Sequence, residues 1–158
     1  MRYLLIAIVA IAGCSNDTPN EEATPVAIAT VAPAKDSPPA WFDKWCKAIR
    51  SRESSDYTDR RVGAAGEQGG YQIMYAYYLD SVEQMRREGI TRVPTYDDVS
   101  RWDARGRDAS ERVVWYYMRR YGVDGAWSCA ARHNGGPRGA AKRAAQKYAD
   151  DIVERMGS

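Results

Sequence analysis

Beyond residue 40, apolar residues recur three and four positions apart in several stretches, and that spacing predicts helices. The first covers residues 39–52: Ser37 is placed to cap it, Pro38-Pro39 to open it, and Phe42, Cys46 and Ile49 mark its inner face. A second runs over 75–88 with an inner stripe of Tyr75, Tyr78, Leu79, Val82 and Met85, closed by Gly89. A third opens at Asp108, with Glu111 in capping-box position, turns Val113, Val114, Tyr117, Met118 and Tyr121 inward, and stops at Gly122. A short helix over 125–132 and a last one over 140–156, burying Ala145, Tyr148, Ile152 and Met156, complete the set. Between the first two helices, 54–70 is a loop punctuated by Gly63, Gly66, Gly69 and Gly70, with room for a small hairpin. The segment 89–107 reads as irregular. The fold class is therefore mainly α, in a single domain.

Glu53 changes the meaning of the first helix. Phe42, Cys46, Ile49 and Glu53 are spaced four, three and four apart, so the carboxylate continues an apolar face. An acid there is costly to charge unless it is paired, and a carboxyl kept neutral at a cleft edge is what a general acid requires. The alternative is a half-exposed helix-end residue paired with Arg50 or Arg52.

Residues 1–13 hold one Arg, an apolar run and small residues, the pattern of a secretory signal. Ile11-Ala12-Gly13 before Cys14 resembles a bacterial lipobox, which implies cleavage before Cys14 and lipidation of its sulfur; an ordinary signal with an incidental Cys is the alternative. Ser15 in the next position resembles the outer-membrane sorting pattern, so the expected location is the cell envelope, lipid-anchored and facing the periplasm. Residues 14–40 supply that anchor and a Pro-, Ala- and Thr-rich tether with too little apolar surface to fold, leaving 41–158 as the domain.

The chain's net charge is +2. The first 40 residues carry two of its 23 basic and four of its 21 acidic side chains, so the rest is mildly basic. That balance, with no phosphate-binding glycine motif, argues against a nucleic-acid partner. Eleven Tyr and five Trp against a single Phe suit a surface that grips polar ligands. One His and, apart from Cys14, two Cys distant in sequence make no metal-ligand set, and no cofactor is expected.

Five segments recur in an ordered series: Arg50-Ser51-Arg52-Glu53-Ser54, Gly69-Gly70-Tyr71-Gln72-Ile73, Ala76-Tyr77-Tyr78-Leu79-Asp80, Tyr117-Met118-Arg119-Arg120-Tyr121 and His133-Asn134-Gly135-Gly136-Pro137-Arg138-Gly139. Together they resemble invertebrate-type (destabilase-like) lysozymes, in a version with few cysteines. The Glu-Ser, Gly-x-x-Gln-Ile and Asn-Gly-Gly anchor points also resemble those of lytic transglycosylases. The resemblance implies an α+β lysozyme-like domain whose Gly-rich loop flanks a saccharide cleft. It implies a muramidase, acting as a monomer on peptidoglycan between N-acetylmuramic acid and N-acetylglucosamine. Glu53 would be the catalytic acid, with Tyr71, Gln72, His133, Asn134 and Gly135 along the cleft. His133 could instead merely tie the last two helices together.

The second carboxylate departs from the pattern. Invertebrate-type lysozymes place an Asp in the loop before the Tyr-Gln segment, near 62–65 here, where no acid stands. Glu67 and Asp59 remain as candidates, while Asp56 reads as a solvated charge. With neither in the cleft, the chemistry would be that of a lytic transglycosylase, whose Gly-Ala-x-Gly loop resembles Gly63-Ala64-Ala65-Gly66. The missing Asp also motivates a third reading, a glycan-binding lipoprotein without catalysis. Isopeptidase activity is unsupported, since Ala64-Ala65-Gly66-Glu67 and Met74 stand where destabilases carry a Ser-rich loop and a Lys. If Cys14 is lipidated, Cys46 and Cys129 form an even pair that an oxidising periplasm could bridge, stabilising by ~2–4 kcal/mol; two separate thiols are the alternative.

Overall fold

Six α-helices make up most of the described residues, 37–158, in the computed structural model. The expectations for the signal, for Cys14 and for the tether as far as residue 36 fall on residues outside this range. In chain order the helices are α1 (Phe42–Ser54), α2 (Tyr75–Arg87), α3 (Tyr96–Val99), α4 (Ala104–Tyr121), α5 (Ala126–Gly135) and α6 (Arg143–Gly157), with a 3-10 turn at Gly139–Ala141. No helix among the described residues is long and apolar enough to cross a membrane. The mainly helical class is what the periodicity predicts. The hairpin of the Gly-rich loop reduces to one antiparallel bridge, with Gln68 and Ile73 exchanging backbone bonds of 3.0 and 2.9 Å.

The helices pair as α5 with α6, α2 with α4 and α1 with α6. Trp45, Ile49, Ile73, Val113, Val114, Met118 and Ile152 are fully buried at the centre. The inner stripe of α2 is rotated from the expected one. Tyr77, Ser81, Val82 and Met85 face inward, whereas Tyr75 and Leu79 are exposed. The Tyr77 ring stacks on Tyr117 of α4 at 3.5 Å between centroids, and Ser81 is small enough for close approach. Helix α4 begins four residues before the expected Asp108. Asp103 caps it by accepting a 2.9 Å bond from the Gly106 N–H, and Glu111 turns elsewhere. Within the segment expected to be irregular, Thr95 and Asp98 form a capping box that starts α3.

The Cys46–Cys129 bridge is not formed. Both thiols are buried and free, packed in the core faces of α1 and α5. Burial pushes their pKa values up, to about 12 for Cys46 and about 11 for Cys129. They behave as small apolar side chains rather than reactive thiols.

The exit from α1 is unusual. Ser55, Asp56 and Tyr57 all take positive φ (47°, 54° and 71°), a left-handed turn that L-residues adopt at a cost of roughly 1–2 kcal/mol each. Ser54, wholly buried, holds it in place: its Oγ donates to the Gly70 carbonyl (2.9 Å) and accepts from the Tyr57 N–H (3.0 Å). Gly70 must be glycine, because a Cβ there would lie 2.1 Å from the Tyr57 ring. Replacing Ser54 by Ala strands a buried carbonyl and a buried N–H. We expect Ser54→Ala to lower unfolding stability by about 1–3 kcal/mol, read as a shift in the urea midpoint with unchanged slope.

Candidate active site

The left-handed turn reverses the chain directly after Glu53 and brings the Gly-rich loop back across the end of α1. A cavity of about 260 Å³ opens there, lined by Glu53 and by Glu67 and Gln72 of the loop. Met74, Ala76, Tyr77 and Asp80 from the start of α2, Tyr117 from α4, and His133, Asn134, Gly136 and Pro137 at the end of α5 complete the lining. Four of the expected residues other than Glu53 thus meet it in one cavity: Glu67, Gln72, His133 and Asn134.

Glu53 lies in the last turn of α1 and is half-buried. Burial raises its carboxyl above the usual range, and the Glu67 charge across the cavity adds to the rise. The Tyr148 hydroxyl, Arg52 and Arg61 partly oppose it. Among the described residues no cation bonds the carboxyl: Arg61 donates to the Glu53 backbone carbonyl (3.2 Å), and Arg52 is engaged by Asp151 of α6. The bland alternative, a helix-end ion pair with Arg50 or Arg52, is not what forms. Arg50 instead bonds Asp56, Tyr71 and Glu111.

Glu67 accepts from the Ala65 N–H at 2.9 Å. It reaches this position because Gly63 leaves room, for a Cβ on Gly63 would lie 2.1 Å from its carboxylate oxygen and 2.8 Å from Gln72 Oε1. Gln72 adopts φ 49°, and its Nε2 donates to the Gly69 (2.9 Å) and Arg61 (3.1 Å) carbonyls. Both amide protons are therefore spent on the backbone, which leaves Oε1 as an acceptor.

Three expected site residues do not join the cavity wall. Tyr71 is fully buried; its hydroxyl donates to Glu111 (2.7 Å) and accepts from Arg50 (2.9 Å), so it braces the loop from beneath. Gly135 is a packing residue, since a Cβ there would meet Ala145 of α6 at 2.7 Å. Asp59 is a surface charge 3.2 Å from Arg61.

His133 takes a different structural role from the one expected. Its Nδ1 lies 3.2 Å from the Tyr77 hydroxyl, so its hydrogen bond ties α5 to α2, while its ring lies 6.3 Å from that of Tyr148 in the last helix. Its ring also sits edge-on to Trp45. Burial lowers its pKa to about 4, which keeps the imidazole neutral through ordinary conditions. Among the cavity residues that the sequence reading did not name as site residues, Asp80 is the charged one. Its Oδ2 accepts from the Tyr121 hydroxyl at 2.7 Å. The available signal was its spacing, one helical turn beyond Ala76 and Tyr77.

The chain matches no family model, no curated protein and no solved structure. The site is therefore read on its own chemistry. A carboxyl shifted toward its protonated form, two further acidic side chains (Glu67 and Asp80) and several neutral hydrogen-bonding groups share one solvent-reaching cavity. Among the described residues there is no group of side chains able to hold a metal ion.

Two opposite pH trends follow. Because its folded pKa is raised, Glu53 contributes stability that is present at low pH and lost as pH climbs from about 4.5 through the folded value. Glu53→Gln should therefore gain in melting temperature relative to the parent as pH rises over that interval, with the two converging near pH 4. His133 has a lowered pKa, so its contribution is complete above about 6.5 and is lost as pH falls toward 4. Imidazole NMR shifts should show this histidine still neutral at pH 5.5.

Proposed function

We propose that the protein is a glycoside hydrolase that cleaves peptidoglycan, or a closely related β-1,4-linked glycan, with Glu53 as general acid. The observation that carries this reading is the pairing within one cavity of an acid whose burial favours its protonated form and a second carboxylate, Glu67. Glycoside cleavage needs that division of labour: one carboxyl delivers a proton to the leaving oxygen as the ring gains oxocarbenium character, and another assists water or attacks the sugar. Glu67, held by the Ala65 N–H and the space over Gly63, takes the second role.

The remaining groups suit a sugar. Gln72 Oε1 accepts from a hydroxyl or an N-acetyl N–H, and the exposed Asn134 amide both donates and accepts. Neutral His133 holds the wall without adding charge that would drive Glu53 toward ionisation. The choice of peptidoglycan rests on the resemblance of the five segments to the lysozyme superfamily. The envelope location rests on the sequence pattern ending at Cys14.

Glu53→Gln should reduce release of soluble muropeptides from purified cell walls by about 10²–10⁴-fold while the protein remains folded. Glu67→Gln should also impair it, and Asp59→Asn should not. Activity should fall as pH rises through the elevated Glu53 pKa. Wall lysis that survives Glu53→Gln would overturn the assignment. Mass spectrometry of the products separates hydrolysis, with reducing ends, from transglycosylation, with anhydro ends. Sedimentation with the wall without any release would mark a binder instead.

A further inference from the structure

The start of α2 presents aromatic surface to solvent directly beside the cavity. Tyr75 is 56% exposed and Leu79, one turn on, is 46% exposed, although both belong to the stripe that periodicity assigns to the core. The Tyr75 ring does not hang free. It stacks on Tyr78 (centroids 5.9 Å apart, planes 25° apart) and meets Tyr96 edge-on at 5.1 Å. Those two rings contact each other at 5.3 Å. Each is fixed at its far end, with the Tyr78 hydroxyl donating to the Pro94 carbonyl and the Tyr96 hydroxyl to the Ile73 carbonyl, both at 2.9 Å. The outcome is a rigid, supported platform with one aromatic ring exposed.

Its continuity with the cavity is covalent. The residues on either side of Tyr75, Met74 and Ala76, both line the cavity. We propose that Tyr75, buttressed by Tyr78 and Tyr96, forms an outer subsite on which a sugar ring of the glycan stacks as the polymer leaves the cavity. This rests on the glycan reading of the cavity. A pyranose offers an apolar C–H face and a polar rim, and an aromatic ring held rigidly at a cleft mouth takes the former while leaving the hydroxyls in water. The ring needs no further ordering on binding, because its neighbours already fix it, and preorganisation of this kind reduces the entropic cost of association. An occupant extending from the cavity is favoured over an unrelated protein partner because the exposed apolar surface is a strip running from the cavity rim rather than a broad isolated patch.

The test compares binding of β-1,4-linked N-acetylglucosamine trisaccharide and hexasaccharide to the full chain carrying Glu53→Gln, by calorimetry. The hexasaccharide should bind more tightly. Adding Tyr75→Ala should reduce the hexasaccharide-to-trisaccharide affinity ratio by roughly three- to tenfold, and Tyr75→Trp should preserve it, with melting curves confirming that both variants are folded. An unchanged ratio in Tyr75→Ala, or equal affinities before mutation, would overturn the subsite and leave the cavity assignment standing. Failure to bind either oligosaccharide would overturn both.

Discussion

The arrangement depends on one buried hydroxyl. Ser54 sits at the end of α1 with no exposure, bonded at once to the Gly70 carbonyl and the Tyr57 N–H. Those bonds act with the Asp56 N–H donating to the Arg50 carbonyl (3.0 Å) and the Asp59 N–H to the Ser54 carbonyl (2.9 Å) to hold three successive residues in the left-handed region. The strain is offset locally: Asp56 receives Arg50 at 2.9 Å, and the Tyr57 ring fills the space that Gly70 leaves open, edge-on to Trp102. Strained backbone of this kind persists only where surrounding contacts over-determine it. Here it begins two residues beyond the proposed acid, and Gln72 at φ 49° is a second such position on the same cavity wall.

Beneath the loop, Arg50, Tyr71 and Glu111 form the second support. Arg50 meets Glu111 at 2.5 Å, and both bond the Tyr71 hydroxyl. This cluster links α1 to α4 through the residue preceding Gln72. It also disposes of Arg50, the cation nearest in sequence on the inner side of α1, so that the guanidinium neutralises Glu111 and Asp56 rather than Glu53. A cation bonded to Glu53 would favour its ionised form and defeat the protonation that an acid catalyst needs. The wall is held rigid and the acid stays unpaired by the same placement of Arg50.

Much of this was legible in the sequence. The register of α1 placed Glu53 on an apolar face, and the burial that raises its pKa is the physical content of that spacing. The short motifs located Gln72, His133 and Asn134, which converge with Glu67 although they are far apart in the chain. The failures have identifiable causes. Tyrosine is equally at home on buried and exposed faces, so period does not tell Tyr75 from Tyr77; the expected α2 stripe holds at Val82 and Met85 and fails at Tyr75 and Leu79. The Tyr-Gln motif suggests a sugar contact for Tyr71, yet the segment is a tight turn with Gln72 at φ 49°, and only Gln72 reaches the cavity while Tyr71 is buried beneath it. Gly135 belongs to the same motif as Asn134, but its lack of a side chain serves the contact with Ala145. The Cys pair satisfied a counting argument that contains no geometry, whereas each thiol fills its own part of the core.

The balance at Glu53 is finer than burial alone would set. Burial and the Glu67 charge push the carboxyl toward its protonated form; a fully protonated acid of high pKa would be a poor proton donor. Against them stands Tyr148 of α6, whose hydroxyl is buried without a well-formed hydrogen bond of its own and lies within electrostatic reach of Glu53. A hydroxyl in that position stabilises the carboxylate more than the acid, because a hydrogen bond to an ionised acceptor is stronger than one to a neutral carboxyl. Arg52 contributes in the same sense from further out, its guanidinium lying 4.6 Å over the Tyr148 ring while engaged by Asp151. The carboxyl is thus shifted toward its protonated form by burial and Glu67 and back toward the carboxylate by the α6 side, the opposition that the proposed proton transfer would use.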